Sequence, residues 1–183
     1  GCKQVLLVSG SQKRATLDSI TALYLVKDNP LLVNNDISIG VAFNPYLRSS
    51  LFDEEILRLE KKIQSGLVSS IWIQFGTEYN LLEIRIKILS KIISTTINNN
   101  SKVSNITLFG SILIPSSQFI ARFKFRPWKG VYCSSEFLES LDFANTQVKQ
   151  LLITYKHYKI CPIIETNIST DNHLEKLKKS LTL

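Results

Sequence analysis

Glu54–Asn80 reads EEILRLEKKIQSGLVSSIWIQFGTEYN, and this stretch decides the fold. In its first half Ile56, Leu59 and Ile63 recur at helical spacing. Glu54, Glu55, Glu60, Lys61 and Lys62 are read as the water-facing side of that helix. Acidic residues lead and basic residues trail, as the helix dipole prefers. Gly66 follows the last turn, where a left-handed residue ends helices. Ser70–Phe75 (SIWIQF) is then a strand, closing on Gln74, and Gly76 allows a sharp exit. Helix, glycine turn and apolar strand in that order form the second half of a β-α-β crossover.

The rest of the chain repeats the plan. Lys3–Ser9 and Ile37–Phe43 are expected strands before it. Asn105–Ile114 and Ile160–Glu165 are expected strands after it. Between them the spacing predicts helices over Thr16–Lys27, over Leu81–Ile97, over Ser116–Lys124, from Ser134 to about Lys156, and over His173–Ser180. Leu17, Ile20, Leu23 and Tyr24 make the apolar face of the first. Ser50 with Asp53 resembles a capping box for the helix ending at Gln64. Leu81–Ile97 is so rich in Ile and Leu that little exposure is expected. Gly110, inside a strand, marks a close backbone approach. Strand starts lie roughly 33–35 residues apart, with one longer final interval, which is the rhythm of right-handed parallel β-α units.

Composition bounds the class. The chain has 183 residues, 44% hydrophobic and 20% charged, enough for one sizeable core. No apolar run is long enough to span a bilayer as a helix. Net charge is +7, but the lysines and arginines are scattered, so no nucleic-acid partner is expected. Cys2, Cys133 and Cys161 are far apart, and only His157 and His173 could join them, so neither a disulfide framework nor a metal site is expected. The chain contains no Met, from which we expect that residue 1 is not a translational start.

Seven glycines are too few and wrongly spaced for a dinucleotide fingerprint or a phosphate loop. Weight therefore moves from an open doubly wound sheet to a (β/α)8 TIM barrel. A full barrel takes about 250 residues and eight strands. Five strands predict that residues 1–183 form a single domain supplying the last five strands, with three more β-α units upstream.

Several segments carry a resemblance. RLEKKIQSG (Arg58–Gly66) followed by IWIQFGTEYNLL (Ile71–Leu82) resembles the methylenetetrahydrofolate reductase family. GVAFNP (Gly40–Pro45), FGSILIPSSQFIARF (Phe109–Phe123) and LLVSG (Leu6–Gly10) are similar to its neighbouring segments in the same order. The match is equivalent to barrel strands four to eight. It implies an FAD-dependent oxidoreductase that reduces a folate one-carbon derivative with NADH or NADPH. By the same resemblance Ser9, Gly10, Ser11, Asn44, Glu55 and Lys62 would contact the cofactor, with Lys62 on its phosphate. Gln74 and Phe123 would contact the substrate. The Gly66–Gln74 interval is one residue longer than in the family. Ser9 and Ser11 stand where the family has Arg and Asp, and Asn44 where it has an aromatic residue. The family's folate-acting glutamate would lie upstream. These departures define the alternative: an inactive reductase-like subunit with structural or assembly partners. No nucleophile–base pair is readable, so catalytic residues stay unassigned. The resemblance and the basic charge fit a mitochondrial matrix or cytoplasmic protein.

Overall fold

The computed structural model describes residues 3–8, 17–29, 37–99, 105–166, 168 and 170–181. Its strands are β1 (Gln4–Leu7), β2 (Ser38–Phe43), β3 (Val68–Ile73), β4 (Thr107–Leu113) and β5 (Cys161–Glu165). Its helices are α1 (Ser19–Lys27), α2 (Ser49–Gln64), α3 (Tyr79–Asn99), α4 (Ser117–Phe125), α5 (Ser135–Glu139), α6 (Leu141–His157) and α7 (Asp171–Leu181).

All five strands are parallel, and their order in the sheet is their order in the chain. That order decides the architecture. Each right-handed crossover steps to the next strand on the same side, so the helices gather on one face. The sheet curls into a half barrel, consistent with part of a TIM-barrel-like arrangement. On its helix-covered face Ile39, Val41, Phe43, Val68, Ile71, Ile73 and Ile112 are buried. On the concave face Ser38, Ala42, Ser70, Trp72, Gln74, Phe109 and Ser111 are only half-buried. Trp72 and Phe109 stack across neighbouring strands there, 4.8 Å between centroids.

One irregularity sets which side chains face the concave side. Ile39 pairs with Val68, but Gly40 pairs with Ser70, so Ser69 is an extra residue in β3. Its hydroxyl donates to the Ile39 carbonyl at 3.1 Å. A bulge of this kind absorbs one residue without turning the rest of the strand over. Gln74 thereby continues the concave row of Ser70 and Trp72.

Several expectations are corrected. Helix α1 starts at Ser19, because the Asp18 carboxylate accepts from the Thr21 amide at 2.8 Å and caps it. Of its expected apolar face Leu23 is buried, but Leu17 and Tyr24 are exposed; α1 packs on α2. Helix α2 starts at Ser49 with Arg48 as a cap that makes no side-chain bond, so no capping box forms. Lys62 is buried, not water-facing. On α3, Ile84 and Ile88 are exposed, because only one side of that helix meets the sheet and its neighbours. The helix expected from Ser134 is two helices. Ser140 is extended (φ −150°, ψ 163°) and its hydroxyl caps α6 by accepting from the Phe143 amide. The close approach at Gly110 is observed: a Cβ there would lie 2.4 Å from the Tyr155 ring. Gly66 has φ +76° and ends α2 as expected.

Candidate functional site

Parallel strands bring their C-terminal ends to one rim, and loops from that rim carry the chemistry in barrels. Here the rim is built from residues 44–48, 74–78, 114–116 and 165–166. A strap, residues 126–133, returns across it from α4. The Asn44 amide group donates to the Gly130 carbonyl at 3.2 Å. Tyr132 bridges to Gly76, accepts from the Thr77 amide at 3.1 Å, and stacks on Tyr46 at 6.1 Å and 7°. The fully buried Thr77 hydroxyl accepts from the Ser134 amide at 2.8 Å. Gly76 is required at the crossing, since a Cβ would lie 2.3 Å from the Tyr46 ring.

The candidate residues now have places. Gln74 is the last concave-face residue of its row, and its backbone N–H continues the ladder to the Phe43 carbonyl at 2.8 Å. Among the described residues its side-chain amide has no hydrogen-bond partner. Asn44 lies beside it in register. Its side-chain oxygen accepts from the Tyr46 amide at 2.9 Å, so both ends of the Asn44 side chain are engaged by protein. Glu55 accepts from the Asn44 backbone amide at 3.1 Å. Phe123 is buried under Phe119 and Trp128, in an aromatic cluster that also reaches Phe137. Ser9, Gly10 and Ser11 lie outside the described residues.

Lys62 is 4% exposed, in the interface where α1 packs on α2. Burial lowers its pKa below the usual 10.5, the Glu55 carboxylate opposes that fall, and Arg58 adds to it. Arg58 itself reaches Asp18 at 3.6 Å. Among the described residues Lys62 makes no ion pair. A buried ammonium without a paired anion suits a phosphate. The Asn44 side chain is held by Tyr46 and the strap, and the Glu55 carboxylate by the Asn44 backbone amide, so both offer a cofactor less.

Sequence reasoning missed Arg85. It is 8% exposed on α3, donates to the carbonyls of Pro45 and Leu47, and lies 3.9 Å from the Phe52 ring centroid. It therefore holds the loop that presents Asn44. Its signal was an arginine at helical spacing from Leu82 and Leu89, a position otherwise apolar. Cys133 is half-buried, and burial pushes its thiol up to about 12, so it is not a reactive thiolate. Among the described residues no three His, Cys, Asp or Glu side chains gather into a metal site.

The fold and rim define a parallel α/β half barrel with a polar, partly aromatic mouth. No protein-family profile matches the sequence, and no curated protein does. Among solved structures the chain is similar to an uncharacterized protein from Clostridium thermocellum that binds two copies of 5-methyl-5,6,7,8-tetrahydrofolic acid. The TM-score is 0.63 at 14% identity, over 97% of this chain and 60% of that one. The chain thus spans about 60% of that neighbour's length, and the likeness is one of fold. Among the described residues no helix is long and apolar enough to cross a membrane.

Proposed function

We propose that this chain is part of a methylenetetrahydrofolate-reductase-like barrel that binds a folate-type small molecule at the C-terminal rim of its sheet. One observation carries the reading: Gln74 ends the concave row of β3 with an unpartnered amide, which can donate and accept at once. A pterin edge asks for that pairing. The neighbour of like fold binds a reduced folate, which supports the ligand class.

The finer reading is a flavin-dependent oxidoreductase with FAD as cofactor and NADH or NADPH as donor. Lys62 supports it, as a buried cation fit for the flavin phosphate. Bound flavin would supply the hydride chemistry between donor and folate one-carbon unit. The engaged Asn44–Glu55 pair and the serines at 9 and 11 favour the second reading instead. On that reading the barrel keeps scaffold and ligand site without redox chemistry, as a structural or assembly subunit.

Calorimetric titration with 5-methyltetrahydrofolate tests the shared part. Saturable binding is expected, weakened about tenfold in Gln74→Ala, the loss of one or two hydrogen bonds. Equal affinity in the variant rejects the Gln74 assignment. Flavin absorbance in the purified protein, bleached by NADH or NADPH, separates the reductase from the scaffold.

A further inference from the structure

The last turn of α4 leaves an aromatic side chain in water. Ile120 and Phe123 are the buried residues of this helix. Phe125 lies two positions beyond Phe123 and therefore turns away from the core. Pro127 stops the helix, with Arg126 at φ −141° and ψ 87°, so Phe125 has no further turn to pack against. Its ring is 92% exposed, more than any other large hydrophobic side chain among the described residues. Trp128 follows in the strap, 50% exposed. Phe119 and Phe123 hold its indole edge to face at 5.4 and 6.2 Å. Every residue from Lys124 to Gly130 is exposed. Single exposed apolar residues are ordinary, but two large rings left out so close together are not.

Charge gathers at the same place. Between Glu83 and Glu136 the sequence has no Asp or Glu, and it has eight of the 22 Lys and Arg. Outside that span the two signs nearly cancel, so the net charge of +7 resides within it. Arg85 is buried and Lys87 pairs with Glu83, whereas Lys124, Arg126 and Lys129 flank the two exposed rings. Glu136 and Glu139 of α5 share a hollow with Lys124 and offset part of its charge. Among the described residues Arg126 and Lys129 make no ion pair.

We propose that the end of α4 and the start of the strap form a peripheral membrane-docking tip. It sets Phe125 and Trp128 among the headgroups of an anionic lipid surface, while Lys124, Arg126 and Lys129 meet the lipid phosphates. Aromatic rings settle at that boundary, and acidic lipids attract clustered cations. Lysine is depleted at protein–protein interfaces, which disfavours a protein partner. Single-stranded RNA lies in a charged groove, whereas Phe125 projects from a helix end. The rings that support Trp128 are already in place, so docking orders little of the chain. One short tip gives weak, reversible attachment. The inference uses neither Gln74 nor Lys62 and stands apart from the folate reading.

Cosedimentation with vesicles is the test. Vesicles of phosphatidylcholine with about a quarter phosphatidylserine are expected to pellet the protein, and pure phosphatidylcholine vesicles are not. Raising the salt should release it, since the attraction is screened. Phe125→Ser should weaken attachment about tenfold. Arg126→Gln with Lys129→Gln should weaken it tenfold or more at low salt. Circular dichroism checks that these exposed substitutions leave the fold intact. The assignment is overturned if phosphatidylserine vesicles pellet no more protein than pure phosphatidylcholine, or if Phe125→Ser pellets as the parent does. A dimer that Phe125→Ser dissociates, without vesicle binding, would give the tip to a second copy of the chain. Binding of polyuridylate that Phe125→Ser abolishes, without vesicle binding, would give it to RNA. Either result also overturns the assignment. Failure to bind 5-methyltetrahydrofolate, with vesicle binding intact, sinks only the earlier reading.

Discussion

Lys62 shows how far one side chain can depart from a helical-wheel reading. Its neighbours Lys61 and Glu60 belong to the outer side of α2, while Lys62 turns inward with Leu59 and Ile63. Burial disfavours its charged form, and the Glu55 carboxylate offsets only part of that. The folded state therefore holds this proton less tightly than the unfolded chain does. Between the lowered folded pKa and the usual 10.5, the unfolded chain binds more protons, so stability rises with pH across that window. Below the folded pKa the full cost of a buried ammonium is present. Lys62→Met is expected to stabilise the protein at neutral pH by about 1 kcal/mol. It should also flatten the rise of stability below pH 10.5 in urea unfolding curves. A variant less stable than the parent, in protein free of bound anions, would show that the ammonium is already compensated. An anion bound beside Lys62 would remove that cost.

At the scale of elements, the break between α5 and α6 and the strap across the rim both come from polar side chains acting on backbone. Ser134 and Ser140 are successive N-caps, each accepting from the amide three residues on. Apolar periodicity runs through both helices without interruption, which is why one long helix was expected. Capping wins because Ser140 leaves helical angles and satisfies an N–H that would otherwise be orphaned at the start of α6. Ser140→Ala is expected to cost about 1 kcal/mol, measured as a lower urea midpoint with unchanged slope. No loss of stability would mean the break is imposed by packing alone. The strap depends in the same way on Asn44. Its side chain, a ligand contact by the family resemblance, tethers β2 to Gly130.

For the molecule as a whole, sequential parallel order leaves two edges and one face of the sheet uncovered among the described residues. Strands β2 and β3 are buried on the helix side, while Gln4, Val5 and Leu6 of β1 are exposed. Opening free energies should follow that gradient. Hydrogen exchange read by mass spectrometry is expected to protect peptides of β2 and β3 most and β1 least. Uniform protection across β1 to β3 would mean that β1 is covered in solution. The open face also explains a contrast in legibility. Ile39, Val41, Phe43, Ile71 and Ile73 announce a buried helix-side face on their own. Ser70, Trp72, Gln74 and Phe109 look like an ordinary second face until the strand order leaves them lining a concave surface.

The residues alone determined the number of strands, their shared direction through the β-α rhythm, the end of α2 at Gly66 and the close approach at Gly110. Each follows from local backbone and burial preferences, which act over a few residues and are written in the sequence. Only the tertiary structure decided that Ser69 bulges and keeps Gln74 on the concave side. It alone turned Lys62 inward and bound Asn44 to the strap. Those outcomes depend on pairings between residues dozens of positions apart, and no local pattern encodes which distant partner a side chain will meet.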